Sequence, residues 1–274
     1  MFFRLYPPAA PLRSFVQYYL VAHVRTADGQ PISAPKPQPP TPQQFLFFYP
    51  RDEVRNFHYG QARELWSPRS ILVGPQVSRV DISFAGDHLV VCVAFRPGGL
   101  HRLLGVPVKE LFDFSVDSRA VLGPAVDEVA DRLAELTDYA HMVAAVESYL
   151  LRAARRALPP ARPLDALLPQ LLGAWAAQPI DQLAHEVCLS PRQFERSFIE
   201  RVGMGPKLHA RIVRFDQAFR LKERQPDLDW LTVAVQCGYY DYRHLVRDFK
   251  AFAGVTPPQL LAADAWHTRL ALAG

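Results

Sequence analysis

The segment CGYYDYRHLVRDFKAFAGVTPPQLL, residues 237–261, decides how the second half of this 274-residue chain folds. A segment at residues 183–203, LAHEVCLSPRQFERSFIERVG, repeats its pattern 51 positions earlier. The pairs matched at this offset are Ile180 with Leu231, Leu183 with Ala234, Ala184 with Val235, Ser190 with Asp241, Arg192 with Arg243, Phe194 with Leu245, Arg196 with Arg247, Phe198 with Phe249, Gly203 with Gly254 and Pro206 with Pro257. This self-similarity indicates that one small structural unit is used twice.

Each copy predicts a short helix, a tight turn and a second helix. In the first copy, Ser190 is expected to cap the second helix, with Pro191 at its first position and Gly203 at its end. In the second copy, Gly238 breaks the first helix and Asp241 caps the next. The side chains expected to be buried are Leu183, Ala184, Val187, Phe194 and Phe198 in the first copy, and Leu231, Ala234, Val235, Leu245, Phe249 and Phe252 in the second.

Each second helix also carries two arginines four residues apart, opposite its buried side. The residues of this face are Arg192, Glu195 and Arg196 in the first copy, and Tyr242, Arg243, His244 and Arg247 in the second. One such arginine pair is most often a solvated surface, whereas two matched pairs in a duplicated unit favour helix-turn-helix motifs that enter the major groove. An arginine in that groove can donate two hydrogen bonds to a guanine edge.

A predicted helix from Lys207 to Arg224 joins the two copies. Its apolar side is predicted by residues at helical spacing, namely Leu208, Ile212, Phe215, Ala218 and Phe219. Such a helix would act as a rigid spacer. We call the second helix of each copy its reading helix. Two reading helices that enter adjacent major grooves on one face of DNA must lie about 34 Å apart.

These features make the second half similar to the DNA-binding domain of the AraC/XylS family of transcription regulators. The residues that carry the resemblance are the Gly238-Tyr239 step, His244, the Arg247-x-Phe249-Lys250 run, Gly254-Val255-Thr256-Pro257, and Arg211 and Arg214 in the joining helix. The resemblance implies that double-stranded DNA is the partner. The DNA-contacting residues it implies are Ser190, Arg192, Gln193, Glu195, Arg196, Arg211, Arg214, Asp241, Tyr242, Arg243, His244 and Arg247. Glu195 departs from the family, which often has Gln there, and a carboxylate accepts from cytosine while it repels phosphates.

The first half changes from predicted strands to predicted helices. Short apolar runs rich in β-branched and aromatic residues predict strands at residues 45–49, 70–73, 80–84 and 89–95. From Gly98 onward, helical spacing predicts helices at residues 98–105, 123–136 and 139–158. The two longer helices can pack on a sheet or form a dimer seam, and the sequence favours neither.

Six prolines between Pro31 and Pro42 exclude a helix or an interior strand and predict an extended loop or lid. We expect a ligand to bind beneath this loop. The neighbouring aromatic residues Phe45, Phe47, Phe48 and Tyr49 could line a pocket there, although we expect them to be core.

Residues 71–111 resemble the sensing domain of a poorly characterised branch of the same family. The most characteristic steps are Phe95-Arg96-Pro97-Gly98-Gly99 and Leu103-Leu104-Gly105-Val106-Pro107. Thr41-Pro42-Gln43-Gln44 stands where that branch tends to have a Pro-Asp-Gly turn. The resemblance implies a barrel-like β domain, a small-molecule effector, a homodimer and, for an activator, contact with RNA polymerase.

The predicted fold class is α+β. A β-rich, barrel-like (cupin-like) domain followed by helices is expected at residues 1–158, and a linker, marked by the prolines of LPPARP, at 159–168. An all-α DNA-binding domain is expected at 169–274. Its two helix-turn-helix units, joined by the linker helix, are expected at about 180–203 and 231–254.

Composition narrows the function classes only slightly. The formal net charge of +4 mildly favours a polyanionic partner. Residues 171–274 hold 13 Lys and Arg against 11 Asp and Glu, so DNA binding depends on where the arginines lie. Without a secretory signal or a long uncharged apolar run, we expect a cytoplasmic protein. Cys92, Cys188 and Cys237 lack CxxC spacing and are expected to be buried free thiols rather than disulfides or zinc ligands.

An enzyme in the first half, for example a cupin-like metal oxygenase, is the alternative from another class. The candidate ligands His23, His58, His88 and His101 form no HxH or HxxxH pair with a nearby carboxylate. No GxSxG, GxGxxG or P-loop pattern is present. We therefore expect no catalytic residue, metal or cofactor. A ligand-binding or metal-dependent module fused to helices without DNA activity stays open.

Overall fold

Alternation of apolar and polar residues builds the first half of the chain into two antiparallel sheets. The computed structural model describes residues 2–25, 35–84, 86–156, 161–172 and 178–263. The strands are β1 Phe2–Tyr6, β2 Val16–Arg25, β3 Lys36–Gln38, β4 Gln44–Phe48, β5 Arg55–His58, β6 Arg63–Trp66, β7 Ser70–Val73, β8 Val80–Ser83, β9 Asp87–Phe95 and β10 Ser115–Asp117. The large sheet has the order β1-β2-β9-β4-β7-β10, and the small sheet the order β3-β8-β5-β6.

The two sheets correct the expectation of a barrel. The first half is β-rich and is followed by helices, as predicted, but its strands form two separate sheets rather than one closed barrel. All four predicted strands are present, as β4, β7, β8 and β9. The pattern missed β2, which pairs with β9 from Val16–Phe95 to Arg25–Asp87 and is the longest strand.

The proline-rich segment forms an edge strand where it is described. Residues 31–34 lie outside the described residues, so the predicted lid is only partly described. Lys36–Gln38 is β3, at the edge of the small sheet, with Pro37 opposite Asp81 of β8. Proline is tolerated there because an edge strand has one row of N–H groups without a ladder partner.

The helices lie after β9, and all except α1 also follow β10. In the first half they are α1 Gly99–Leu104, α2 Ser118–Leu122, α3 Ala125–Glu135 and α4 Tyr139–Ala154, with a 3-10 turn at Val108–Leu111. In the second half they are α5 Pro163–Leu167, α6 Ile180–Glu186, α7 Pro191–Val202, α8 Pro206–Arg224, α9 Trp230–Gln236, α10 Tyr242–Ala253 and α11 Pro257–Ala263. None of the helices within the described ranges is long and apolar enough to cross a membrane.

The apolar stripes of α3 and α4 pack against the large sheet. Leu133 of α3 and Val146 of α4 belong to the same buried cluster as Val21 of β2 and Val93 of β9. This packing places both stripes in the core of the chain itself and not at a dimer seam. The helices from α5 onward form a second core, in which Phe194, Phe198, Phe215 and Phe249 are fully buried.

The three cysteines differ in burial, which corrects the expectation that all are buried. Cys92 is buried in β9, Cys237 is half-buried and Cys188 is exposed. Cys188 lies in the turn after α6 with a positive φ of 55°, a backbone conformation that turns its side chain out of the helical core. All three are free thiols.

Candidate DNA-binding surface and effector cavity

The second helix of the first unit, α7, begins with a complete cap. Ser190 Oγ accepts a hydrogen bond from the backbone N–H of Gln193, and the Gln193 side chain accepts one from the Ser190 backbone N–H at 3.0 Å. Pro191 occupies the first helical position, and Gly203 ends the helix in the left-handed region with φ of 92°. The roles of Ser190, Pro191 and Gly203 were predicted because each depends on neighbouring residues only, whereas the hydrogen bond to the Gln193 side chain was not predicted.

The second unit uses a different capping residue for α10. The Asp241 carboxylate accepts a hydrogen bond from the His244 backbone N–H at 2.8 Å and lies 2.9 Å from His244 Nδ1. The hydrogen bond from the His244 N–H lowers the pKa of Asp241. Gly254 ends the helix with φ of 73°. The cap of the second unit is therefore charged, whereas the cap of the first is neutral.

The first helices of the two units correspond at an offset of 50 residues rather than 51, which corrects part of the predicted alignment. Leu183 and Ala184 of α6 match Val233 and Ala234 of α9, and all four are buried. Leu231 and Val235, predicted to line the core, are 56% and 61% exposed. The difference arises because the turn of the second unit holds one more residue, and Tyr240 projects from it at 90% exposure.

Both reading helices expose the arginines predicted for them. On α7, Arg192, Glu195 and Arg196 are exposed, while Phe194 and Phe198 are buried. On α10, Arg243 and Arg247 are exposed beside the half-buried Tyr242, while Leu245, Phe249 and Phe252 are buried. The two helices thus present matched cationic faces, which can donate hydrogen bonds to phosphates and base edges.

Two of the predicted contact residues have side chains that are already used within the cap. Gln193 Oε1 accepts from both the backbone and the hydroxyl of Ser190. His244 is bonded to Asp241 and packs edge-on against Tyr240. Both side chains are exposed and lie at helix starts, where backbone N–H groups also point outward.

Arg211 and Arg214, predicted to contact DNA, are ion-paired within the domain. Arg211 donates to Asp248 Oδ1 at 2.7 Å, and Arg214 lies 3.3 Å from Asp248 Oδ2. Their guanidinium groups also lie over the rings of Phe252 and Tyr239. Because Asp248 is on α10, these contacts attach α10 to the linker helix α8.

The first unit is instead attached to the first half of the chain. The end of α7 packs against the 3-10 turn Val108–Leu111, and Gln44 of β4 donates to the Val202 carbonyl at 3.3 Å. The buried Arg201 of α7 donates to Asp165 of α5 at 2.8 Å, and Arg102 of α1 lies 3.8 Å from the same carboxylate. A direct mechanical link therefore joins the sheets to the first reading helix.

A cavity of about 400 Å³ lies between the two sheets. Phe45, Phe47 and Tyr49 line it, and Phe48 packs in the main core. Tyr49 is also a buried member of a smaller apolar cluster, against which Phe45 and Phe47 pack. His88, Val90 and Cys92 face the cavity from alternate positions of β9. Its remaining wall is the linker helix α8, which contributes Asp216, Phe219, Arg220 and Glu223.

Two buried polar atoms in this cavity have no partner in the described chain. They are Asn56 Oδ1 and His88 Nδ1. His88 stacks on Phe84, and burial lowers its pKa to about 4, so its imidazole is neutral at physiological pH. Lys36 also lines the cavity. An apolar cavity with a few unsatisfied polar groups is typical of small-molecule sites.

The four histidines considered as metal ligands do not converge. His58 and His88 line the cavity, whereas His23 bonds to Asp87 and Tyr139, and His101 Nδ1 lies 3.0 Å from the Val106 carbonyl. Over the described ranges, no group of three or more His, Cys, Asp or Glu is arranged to hold a metal ion. The residues of α8 that close the cavity were not predicted. They lie far from the strands in the sequence, and no local sequence pattern indicates a contact between such distant segments.

Comparison with known proteins finds a matching domain model for each half of the chain. A helix-turn-helix domain model matches residues 183–263, and a domain of unknown function (DUF6597) matches residues 4–117. The HTH-type transcriptional regulator Rv1931c of Mycobacterium tuberculosis is 32% identical over 92 residues, which is 34% of this chain and 35% of that protein. The match thus spans about a third of the length of that relative.

Two solved structures are also similar. ToxT from Vibrio cholerae O395 aligns with 90% of this chain and 98% of its own, at 10% identity and a TM-score of 0.48. A transcriptional regulator with an AraC-type DNA-binding domain from Chromobacterium violaceum aligns with 32% of this chain and 79% of its own, at 24% identity and a TM-score of 0.30. Residues 183–263, which contain α7 and α10, thus form a helix-turn-helix domain of the AraC type.

Proposed function

We propose that this protein is a sequence-specific DNA-binding transcription regulator that acts in the cytoplasm and responds to an effector bound by its first half. The observation that carries the proposal is the matched pair of exposed arginines on α7 and α10, each in a duplicated cap-helix-glycine unit. The proposed sensing domain spans residues 1–158, the linker 159–168 and the DNA-binding domain 169–274.

In this proposal, α7 and α10 enter adjacent major grooves. Arg192, Glu195 and Arg196 would face bases from α7, and Tyr242, Arg243, His244 and Arg247 from α10. Ser190, Gln193 and Asp241 would orient the helix starts toward phosphates. Arg211 and Arg214 are proposed to act mainly through Asp248 by fixing the position of α10, since both are already paired with it.

The replacement of Arg247 by Ala tests the reading surface. We expect binding to the cognate site to weaken by about 1–3 kcal/mol, because a bidentate contact to a base is lost. Genomic fragments that co-purify with the protein would identify the site, and mobility shifts at constant salt would give the affinities. Arg132→Ala, an exposed arginine on α3, is the control. Unchanged affinity of the Arg247→Ala variant would exclude this residue from the interface.

The effector site that we propose is the cavity between the sheets. Because α8 forms one of its walls and also holds α10 through Asp248, a bound molecule would shift the equilibrium position of the second reading helix. Extraction of the purified protein followed by mass spectrometry tests for a bound small molecule. A Val90→Trp variant, which fills the cavity, should then lose both the molecule and its effect on DNA binding.

The proposal also includes two protein partners. A second copy of the chain and, for an activator, RNA polymerase are the partners expected from the family. Sedimentation of the free protein and of its DNA complex tests the first, and transcription in vitro tests the second. Metal analysis of the purified protein tests the competing hypothesis of a metal-dependent enzyme, which requires a stoichiometric metal.

A further inference from the structure

A second cavity, of about 570 Å³, lies where the two halves of the chain meet. The end of α1, the turn from α2 to α3, one side of α4, the start of α5 and the end of α7 surround it. It shares no lining residue with the effector cavity. Any molecule bound there would contact the sensing half and the first helix-turn-helix unit at once.

Arginine dominates the polar lining of this cavity. The guanidinium groups belong to Arg102, Arg152, Arg156, Arg162 and Arg201, and the carboxylates only to Asp165 and Glu200. Tyr149, Arg152 and Ala153 line the cavity from one face of α4, and Arg156 lines it from just after the end of that helix. Arg155, the residue that follows α4, does not line it.

The carboxylates of the cavity are already engaged. Asp165 is paired with Arg201 at 2.8 Å, approached by Arg102 at 3.8 Å, and accepts from the Arg162 backbone N–H at 2.8 Å. Glu200 lies 3.6 Å from Arg201. Arg152, Arg156 and Arg162 form no ion pair with any carboxylate of the described residues. An excess of positive charge therefore faces a concave space, where a bound anion would relieve the repulsion between like charges.

One wall of the cavity is apolar. Leu104, Leu122 and Ala125 line it, together with Val121, whose side chain is 39% exposed. A single inorganic ion would leave this wall uncovered. A molecule with a charged end and a flat apolar end would cover both parts.

We propose that this cavity binds a nucleotide. Guanidinium groups donate pairs of parallel hydrogen bonds to phosphate oxygens, which suits Arg152, Arg156 and Arg162 to a diphosphate or triphosphate. The base would lie on the apolar wall. The volume falls within the range of small-molecule sites. The bound nucleotide would link α4 to the end of α7 and so hold the first reading helix against the sensing half.

Titration calorimetry of the full chain with ADP, GDP and pyrophosphate at fixed ionic strength tests the proposal. We expect saturable binding of a nucleoside diphosphate, and an R152Q/R156Q variant should bind it at least about tenfold more weakly. The matched control R132Q/R155Q also removes two positive charges, from exposed residues that do not line the cavity, and should bind as the unmodified protein does. Both variants change exposed side chains, and circular dichroism would verify their folding.

Three results would overturn the proposal. The first is no saturable binding of any of the three probes up to about 1 mM. The second is equal loss of affinity in R132Q/R155Q and R152Q/R156Q, which would indicate a general charge effect. The third is a loss of DNA binding by R152Q/R156Q without any nucleotide binding to the unmodified protein, which would assign these arginines to the DNA backbone.

Discussion

The reading helix of the first unit, α7, is held by the sensing half of the chain, whereas that of the second unit, α10, is held by the linker helix. Arg201 of α7 is buried against Asp165 beside Arg102, and the end of the helix contacts Val108–Leu111. Asp248 of α10 instead accepts from Arg211 and Arg214 of α8. Two copies of one motif thus share a local design and differ in their attachments.

Under the proposed function, this difference indicates how one effector domain would control two reading helices. A change in the sheets reaches α7 directly, but it reaches α10 only through α8. Because coupling requires an element whose position differs between states, α8 is the element through which the cavity would act on the second unit. Substitutions at matched positions in the two units therefore separate the two routes.

The largest difference is expected from the two ion-pair centres. Asp165→Ala leaves the Arg201 guanidinium, whose side chain is 6% exposed, without its main partner, and should cost about 3–5 kcal/mol of unfolding free energy. Asp248→Ala leaves Arg211 and Arg214, whose side chains are 45% and 36% exposed and can regain water, and should cost about 1.5–3 kcal/mol. Urea unfolding measures both. Equal losses of unfolding free energy in the two variants would contradict the proposed difference between the buried and the exposed ion pairs.

The matched helix-ending glycines give the next difference. An Ala Cβ at Gly203 would come within 2.9 Å of Pro75 Cγ and the Val108 carbonyl oxygen, in addition to the strain of a positive φ. Gly203→Ala should therefore cost about 2–4 kcal/mol. At Gly254 no atom lies within 4 Å of such a Cβ, and Gly254→Ala should cost only about 1–2 kcal/mol. Chemical denaturation of the two variants checks the order, and equal costs would contradict the docking of α7 against Pro75 and Val108.

Acid should weaken the first unit through His209. This α8 residue packs against Phe198 of α7, and burial lowers its pKa to about 4. The unfolded chain binds the proton near pH 6.5, so stability is lost as the pH falls from about 6.5 toward 4, by on the order of 3 kcal/mol. At the second unit α8 presents Phe215 to Phe249 instead, and this pair does not titrate.

Thermal unfolding across that pH range, in an H88Q background, measures the effect, because His88 titrates in the same window. His209→Phe should remove the dependence, while the exposed His185→Gln serves as control. A slope that persists in His209→Phe would assign the acid sensitivity to another group.

The smallest difference concerns the caps. Ser190→Ala should cost about 1 kcal/mol at every pH, because a neutral hydroxyl does not titrate. The pKa of Asp241 is lowered by the hydrogen bond from the His244 N–H, so its contribution is present above pH 3.8 and lost as the pH falls through its folded value. Asp241→Asn should therefore lessen acid unfolding of the second unit, measured by hydrogen exchange in α10. An unchanged acid profile would refute this role.

The sequence by itself determined the features that depend on neighbouring residues. The caps at Ser190 and Asp241, the helix ends at Gly203 and Gly254, and the exposed arginine pairs were all predictable, because capping and helical periodicity act over a few positions. The strands β4, β7, β8 and β9 were predictable from short apolar runs. Local chemistry was also sufficient to indicate the duplication.

The contacts between residues far apart in the sequence, and the exposure of some helix residues, became clear only from the tertiary structure. One more residue in the second turn moved Leu231 and Val235 to the surface, which an alignment at a constant offset could not reveal. The partner of Arg211 lies 37 residues away on another helix, and the effector cavity joins both sheets to α8. Such contacts depend on packing between segments far apart in sequence, and no local pattern specifies them.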